Sequence, residues 1–227
     1  GLDSPAAAAL ARSSGADAAT SASRRRAVRT RITTFGPPAP ATLADPLRDL
    51  VAAAGLTVLR TAAPDGTGPA PEHTSGQPSG HPPGVTVLVG VGEPHREQVD
   101  PLVRDGTPHL LVRMTEGRAV IGPFVVPGTT ACLRCLDAHC TDADQAWPLL
   151  VRQYAEAVLR PRPDGAAEPV DPSLAALALA WAVRDLTAYA EGRCPSTWSA
   201  TVTLPAFPDR LETRAWLRHP GCGCSWQ

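Results

Sequence analysis

The sequence predicts an α/β fold whose carboxyl-terminal hairpin is tied to the middle of the chain by a metal ion. Residues 28–61 follow the order strand, turn, helix, strand, which opens a Rossmann-like, dinucleotide-binding type of fold. Residues 85–91 form a continuous apolar run, typical of a strand that is buried on both faces. Two close cysteine pairs, far apart along the chain, supply the ligands for the metal.

The predicted elements follow from hydrophobic periodicity. The first strand, 28–35, alternates apolar residues with arginine and threonine, and the helix after it places Leu43, Leu47 and Val51 on one face and ends at Gly55. The strand at 56–61 completes this opening. The remaining predictions are strands at 85–91, 109–114 and 118–126, helices at 94–104, 149–159 and 172–191, and a hairpin of 198–204 and 211–217.

The other segments are predicted to be irregular. Residues 1–27 are rich in Ala and Ser and are interpreted as a linker, with one weak helix near 5–12 and a solvated arginine run at 24–26. Residues 62–84 are predicted to form a flexible Pro/Gly/Ser-rich loop that carries His73 and His81. We expect residues 28–227 to form one domain.

Composition excludes several classes of function. The 227 residues carry a net charge of -1, which gives no general attraction to nucleic acid or to an anionic membrane. All 21 basic residues are arginine, so neither a Schiff base nor a phosphate-loop lysine is available. The longest apolar run is too short to span a bilayer, and no signal-peptide core is present. We therefore expect a cytoplasmic chain.

Cys132, Cys135, Cys222 and Cys224 are the candidate metal ligands. Four thiolates from two close pairs can complete a tetrahedral zinc site with no position for water or substrate, which indicates a structural metal. A disulfide, a redox pair and free cysteines remain as alternatives, and His139 or His219 could replace a thiolate. The two other cysteines, Cys140 and Cys194, are interpreted as small buried apolar residues.

The turn after the first strand opposes nucleotide binding. It reads Gly36-Pro-Pro-Ala-Pro-Ala41, and its three prolines remove amide donors and stiffen the backbone where a phosphate would approach. No catalytic residue and no nucleotide-binding residue is therefore assigned.

The run from Gly122 to Asp137, which contains Cys132 and Cys135, and the tail His219-Pro-Gly-Cys-Gly-Cys224 resemble a known family. They are similar to ThiF-like proteins of the ubiquitin-activating, MoeB and HesA superfamily, within the branch associated with cyclodehydratases of actinobacterial thiazole/oxazole-modified peptide pathways. The resemblance implies an adenylation-type α/β fold, a structural zinc on the four cysteines and a homodimer. It also implies a precursor or leader peptide and a YcaO-type protein as partners, and an amino-terminal recognition domain that residues 1–27 would follow.

The chain departs from active members of that family at the residues that handle ATP. The family's Gly-x-Gly-x-x-Gly turn is replaced, the second strand ends Leu59-Arg60-Thr61 with no acidic residue for the ribose, and Gly92-Glu93 replaces the aspartate that holds magnesium. Residues 144–147 lack the cysteine that forms a thioester. These departures argue against ATP binding on chemical grounds.

Three functions compete. The first is a non-adenylating scaffold or peptide-binding partner in azoline formation, the second an ATP-dependent adenylyltransferase, and the third a zinc-ribbon-like regulator that binds nucleic acid or responds to redox state. The near-neutral charge opposes the third. The acidic and aromatic segment 137–147, predicted to be a loop, is the candidate partner contact through Asp137, His139, Asp142, Asp144 and Trp147, although these residues could equally cap a helix and cover the zinc site.

Overall fold

The computed structural model of the chain describes residues 18–37, 41–59, 84–160, 170–206 and 210–226. Its elements, in chain order, are α1 (Ala18–Ala27), β1 (Arg29–Phe35), α2 (Ala41–Ala53), β2 (Thr57–Leu59), β3 (Val85–Val91), α3 (Arg96–Arg104), β4 (His109–Thr115), β5 (Arg118–Val125), α4 (Leu133–Ala143), α5 (Trp147–Ala157), α6 (Pro172–Ala190), β6 (Ala200–Leu204), β7 (Glu212–Ala215) and a short 3-10 turn (Gly223–Trp226).

Seven strands form one mixed sheet in the order β2-β1-β3-β4-β5-β6-β7. The first four strands in chain order run parallel, and β5, β6 and β7 are added as antiparallel neighbours. Glu116 and Gly117 both adopt positive φ in the tight turn between β4 and β5, as the twist of a two-residue hairpin requires. The arrangement confirms the predicted α/β, Rossmann-like fold and the predicted β6–β7 hairpin.

One face of the sheet packs against α2 and α6. Alternate residues of β1, β3 and β4, such as Ile32, Val87 and Val112, meet Leu47 of α2 and Leu179 of α6 in the larger hydrophobic core. The α2 residues of this core recur with helical spacing, and this amphipathic pattern is what predicted the helix from the sequence.

The opposite face carries a smaller core that contains the cysteines. Leu88 and Leu111 point to this side of the sheet and pack with Val99 of α3 and with the four cysteines of the two pairs. Trp216, just after β7, closes this core and donates its indole N–H to Thr201 Oγ1 at 3.0 Å. The cysteine cluster is therefore part of the packed interior.

Residues 18–27 differ from the linker that composition suggested, because they form helix α1. Arg25 donates from Nε to Glu191 Oε1 at 2.6 Å, and Arg24 donates to the main-chain oxygen of Glu191 at 3.1 Å. The predicted solvated arginine run is therefore wrong for Arg25, which is partly buried, while Arg24 is exposed; both residues tie α1 to the end of α6. The weak helix predicted near 5–12 lies outside the described residues.

The predicted loop at 137–147 is wrong for its first half, which belongs to α4. This helix buries only Leu133, Cys135 and Leu136, all in its first turn, so its sequence lacks a sustained apolar stripe. The helix is held by the cysteine cluster and by ion pairs to distant residues. Its carboxyl-terminal neighbours, 144–146, form the loop before α5.

Two other sequence predictions concern the loop at 62–84 and membrane-spanning helices. The predicted loop with His73 and His81 lies, except for Gly84, outside the described residues. In the part of the chain that the structure describes, no helix is both long enough and apolar enough to cross a bilayer.

Candidate metal centre

The four predicted ligands come from two distant parts of the chain and meet in the structure. Cys132 is the residue before the first turn of α4 and Cys135 lies in that turn, so the spacing of three residues places both side chains on one side of the helix start. Cys222 and Cys224 lie in the tail that follows β7, at the start of the 3-10 turn. All four side chains are buried.

The distances between the sulfur atoms are those of a metal site. Cys132 Sγ lies 3.8 Å from Cys135 Sγ and 3.6 Å from Cys222 Sγ, and Cys135 Sγ lies 3.4 Å from Cys224 Sγ. A tetrahedron of sulfurs around zinc at about 2.3 Å has edges of about 3.8 Å, whereas a disulfide bond is about 2.05 Å long. No disulfide joins them, and all four sulfurs lie within 4.8 Å of one another, so the cluster could hold a metal ion.

The pKa values of the clustered thiols are strongly shifted. The hydrogen bond between the first two thiols raises the pKa of Cys132 and lowers the pKa of Cys135 to about 4, and burial raises the pKa of Cys224 to about 12. Left to the protein alone, the four groups therefore cannot all be thiolates at neutral pH. A divalent ion would supply the positive charge that four thiolates need, and a set of four buried sulfurs with no carboxylate suits Zn²⁺.

His139 and His219, the predicted substitutes for a thiolate, lie in a separate group with Asp142. His219 accepts the main-chain N–H of Gly221 at Nδ1 and donates from Nε2 to Asp142 Oδ2 at 2.9 Å. His139 Nε2 lies 2.9 Å from the main-chain oxygen of Leu217. These contacts brace the tail against α4. The three side chains could themselves hold an ion, but the hydrogen bond at Nδ1 leaves His219 without a free lone pair.

The remaining cysteines do not join the cluster. Cys140 is half-buried and packs at the edge of the smaller core, whereas Cys194 is exposed. The interpretation of both as buried apolar residues is therefore wrong for Cys194.

Next to the metal centre lies an ion-pair network that sequence reasoning missed. Arg96 donates two hydrogen bonds to Asp137, at 2.7 and 2.8 Å, and a third to Glu93 at 3.1 Å. Arg113 donates to the other oxygen of Glu93 at 2.5 Å, and the indole of Trp147 donates to Asp137 at 3.0 Å. Although burial raises it, Arg96 and the indole hold the pKa of Asp137 below its usual value.

The network explains part of the predicted partner contact. Asp137 accepts hydrogen bonds from Arg96 and Trp147, and both Asp137 and Trp147 are only partly accessible. Asp144 accepts the N–H of Ala146 at 2.9 Å and so orders the turn before α5. The helix-capping alternative therefore fits Asp144, whereas Asp137 and Trp147 belong to the ion-pair network. One feature of the sequence could have indicated the network, the acidic residue Glu93 two positions after β3.

The carboxyl ends of β1 and β3 form the strand-end crevice at which Rossmann-like folds bind nucleotides. Gly36 follows β1 and lies so close to β3 that a Cβ at this residue would sit 2.4 Å from the main-chain oxygen of Val91. Gly92 follows β3, and a Cβ there would sit 2.7 Å from the side chain of Val158. Val158 lies at the end of α5, so this helix covers the crevice from outside.

Comparison with known proteins shows a likeness of fold. No protein-family model matches the chain, and no curated protein matches it in sequence. The solved structure of the heterocyclase TruD matches with a TM-score of 0.69 and 18% identity, over 98% of this chain and 30% of TruD. A heterocyclase in complex with substrate and cofactor gives a TM-score of 0.69 and 17% identity, over 97% of this chain and 28% of that one.

The crystal structure of E. coli MccB also matches, with a TM-score of 0.60 and 12% identity, over 93% of this chain and 68% of MccB. This chain spans less than a third of the two heterocyclases. It therefore shares the fold of one part of those larger proteins and of most of MccB.

Proposed function

We propose that this chain is a ThiF-like protein that does not adenylate, and that it serves as a scaffold or peptide-binding partner in the formation of azoline rings on ribosomal peptides. The observation that carries the proposal is the condition of the strand-end crevice. The carboxylate that would face magnesium is already paired with two arginines. A side chain at the end of α5 already lies in the space that the nucleotide would enter.

The acidic residue after β3 is unavailable to a metal nucleotide. Each carboxylate oxygen of Glu93 accepts a hydrogen bond from a different arginine, Arg96 or Arg113. A magnesium ion bound there would have to displace both guanidinium groups from a half-buried site, at a large electrostatic cost. The resemblance assigns the magnesium ligand of active relatives to this part of the chain, so the pairing argues against ATP chemistry.

Steric access argues in the same direction. Val158 packs on Gly92 at the end of β3 and contacts the larger core. Tyr154, one turn earlier on α5, lies 2.7 Å from Thr115 Oγ1 through its hydroxyl. These two contacts hold α5 across the ends of the parallel strands, where a triphosphate would lie.

The zinc in this proposal is structural. Cys132, Cys135, Cys222 and Cys224 would hold it, and a shell of four thiolates offers no open position for water or substrate. Its chemistry is confined to charge neutralisation and to the linkage of the tail to α4.

The proposed partners follow from the fold and from its coverage. A heterocyclase whose solved structure contains substrate and cofactor shares this fold in less than a third of its length. The ATP-using step would then belong to a YcaO-type partner, which acts on a precursor or leader peptide that this chain helps to position. We propose a homodimer as the working assembly, in line with the resemblance.

Calorimetry with magnesium ATP and zinc-loaded protein tests the proposal. We expect no heat of binding up to millimolar nucleotide. Micromolar affinity would contradict the proposal and favour the adenylyltransferase alternative.

In a second assay, the chain is combined with a YcaO-type protein, ATP and precursor peptide, and mass spectrometry follows the loss of one water per ring. We expect ring formation to accelerate when the chain is added.

A further inference from the structure

A groove of 1020 Å³ runs between α3, α4 and α5 and ends at the tail that carries Cys222 and Cys224. Its volume lies at the upper end of the roughly 300–1,000 Å³ that small-molecule pockets occupy. Four arginines and four carboxylates line it. Because these charges balance, the groove offers no net attraction to a polyphosphate, which distinguishes it from a nucleotide site.

Most of the lining charges already have partners. Arg96 is paired with Asp137, and Arg134 donates two hydrogen bonds to Asp100, at 3.0 and 2.7 Å. Arg152 and Glu156 face each other on α5 at 3.9 Å, within a single helix and in solvent. These pairs shape the walls and leave little charge for a ligand.

Two of the charged residues that line the groove have no such partner among the described residues. Glu97 and Arg104 are exposed, both belong to α3, and neither makes an ion pair or side-chain hydrogen bond with any described residue. They are seven residues apart, so they lie on the same face of the helix, two turns and about 10 Å apart. The groove therefore presents one free negative and one free positive charge along one wall.

We propose that this groove binds an extended peptide segment that places a basic side chain at Glu97 and an acidic side chain at Arg104. An extended chain rises about 3.3 Å per residue, so the two side chains would be about three residues apart. Val103 of α3 and Val151 and Ala155 of α5 supply apolar contact for the residues between them. The inference rests on the proposed peptide-binding function and names the site and the charge pattern of its ligand.

Four fluorescein-labelled decapeptides on an Ala/Ser/Gly background test the site by fluorescence anisotropy with zinc-loaded protein at low ionic strength. One carries Lys and Asp three residues apart, one carries two Lys, one carries two Asp, and one carries two Gln. We expect the wild type to bind the Lys/Asp peptide about fivefold more tightly than the other three. The preference should weaken as salt is added, because both charges are exposed.

Charge reversal gives the sharper outcome. Glu97→Arg should shift the preference to the peptide with two Asp, and Arg104→Glu should shift it to the peptide with two Lys. Arg184→Glu is the matched control, since the exposed Arg184 side chain on α6 lies outside the groove, and this variant should keep the wild-type order. Circular dichroism melting checks that all variants fold.

The outcomes separate the groove from the proposed function. If the precursor peptide binds the wild type and both reversed variants equally, the groove is not its site and the scaffold function stands. A wild type that binds none of the four decapeptides up to millimolar concentration also overturns the groove. If the precursor peptide fails to bind as well, the peptide-binding function falls with it.

Discussion

Asp185 is a buried carboxylate that receives four hydrogen bonds from two consecutive residues. The N–H and the hydroxyl of Ser196 donate to one oxygen, each at 2.9 Å, and the N–H and the hydroxyl of Thr197 donate to the other, at 2.9 and 2.5 Å. No guanidinium neutralises it among the described residues. The carboxylate thus joins α6 to the segment before β6 through hydrogen bonds alone.

We expect Asp185→Ala to lower the free energy of unfolding by about 3 kcal/mol, because it leaves buried donors without an acceptor. Urea denaturation measures the change. Asp49→Ala, at an exposed aspartate of α2, is the control and should change stability by less than about 0.5 kcal/mol. Equal effects of the two substitutions would show that the four hydrogen bonds contribute no net stability.

Gly122 faces this same segment and has no room for a side chain. Its φ is +98°, and a Cβ would sit 2.3 Å from the main-chain oxygen of Ala200 and 2.9 Å from Cβ of Thr197. We expect Gly122→Ala to destabilise the chain by more than about 3 kcal/mol, because strain at positive φ adds to a clash with backbone.

Gly106→Ala separates these two contributions in the same denaturation experiment. Gly106 also has positive φ, +65°, but nothing lies within 4 Å of the added Cβ. This variant should cost only about 1 kcal/mol, the strain term alone. A cost as large as that of Gly122→Ala would assign the effect to backbone conformation in both cases.

An ion pair at the end of α6 helps to hold helix α1 in place. Glu191, at the end of α6, pairs with Arg25 of α1 and with Arg193. Burial raises the pKa of Glu191, but hydrogen bonds from Arg193 and Arg25 together with their positive charges outweigh this effect. The net shift of the pKa is downward. The pair therefore stabilises the fold fully above the usual glutamate pKa, and this stability is lost as pH falls through the lower folded value.

We expect Glu191→Gln to release α1, to remove about 1–2 kcal/mol at pH 7 and to flatten the acidic side of the stability curve. Hydrogen exchange of residues 18–27 and urea denaturation at several pH values check this. Glu156→Gln is the control, since its pairs with Arg152 and Arg160 are exposed and should contribute less than about 0.5 kcal/mol. Unchanged exchange in α1 would show that other contacts hold it.

The elements that were predicted well from the sequence are those whose local pattern of apolar residues marks the faces that become buried. The strand Val85–Val91 is buried at every residue, and α2 repeats its leucines with helical period, so local sequence was sufficient. Helix α1 contains no apolar side chain larger than alanine, and its main ion pair joins residues 166 apart in sequence. Tertiary contacts of that kind leave no periodic signal, which is why α1 and most of α4 were assigned to loops.

The same distinction applies to the candidate site. The cysteine spacing was enough to predict which four side chains would meet, because thiols in close pairs have few alternative uses. Arg96, Glu93 and Arg113 form their network across three different elements, and an arginine looks alike in sequence whether it is solvated or buried. The sequence also gave no sign that Val158 covers the strand-end crevice. Its contact with Gly92 depends on the tertiary structure and leaves no local pattern.

At the scale of the whole molecule, the candidate metal centre lies in only one of the two hydrophobic cores, so the two cores should depend on the metal unequally. The larger core, between the sheet and helices α2 and α6, contains none of the four cysteines, whereas the smaller core contains all of them. Loss of the metal should therefore loosen the tail, α4 and the second face of the sheet first, while the first face keeps its packing.

We expect Cys132→Ser to bind no zinc and to lower the melting temperature by about 10 °C, since a buried ligand contributes about 3 kcal/mol or more and each kcal/mol corresponds to about 3 °C in a chain of this size. Metal analysis and calorimetric melting measure both effects. Cys194→Ser, at the exposed cysteine outside the cluster, should keep one zinc per chain and the wild-type melting temperature.

Hydrogen exchange then shows where the stability is lost. After zinc removal, the amides of α4 and residues 216–226 should exchange faster, while those of β1, β3 and α2 should remain protected, because the larger core is independent of the cluster. Uniform loss of protection would mean that the chain unfolds as one unit and that zinc supports both cores. Retained zinc and unchanged melting in Cys132→Ser would contradict the four-thiolate site itself, because a buried tetrahedral shell cannot lose a ligand without loss of affinity.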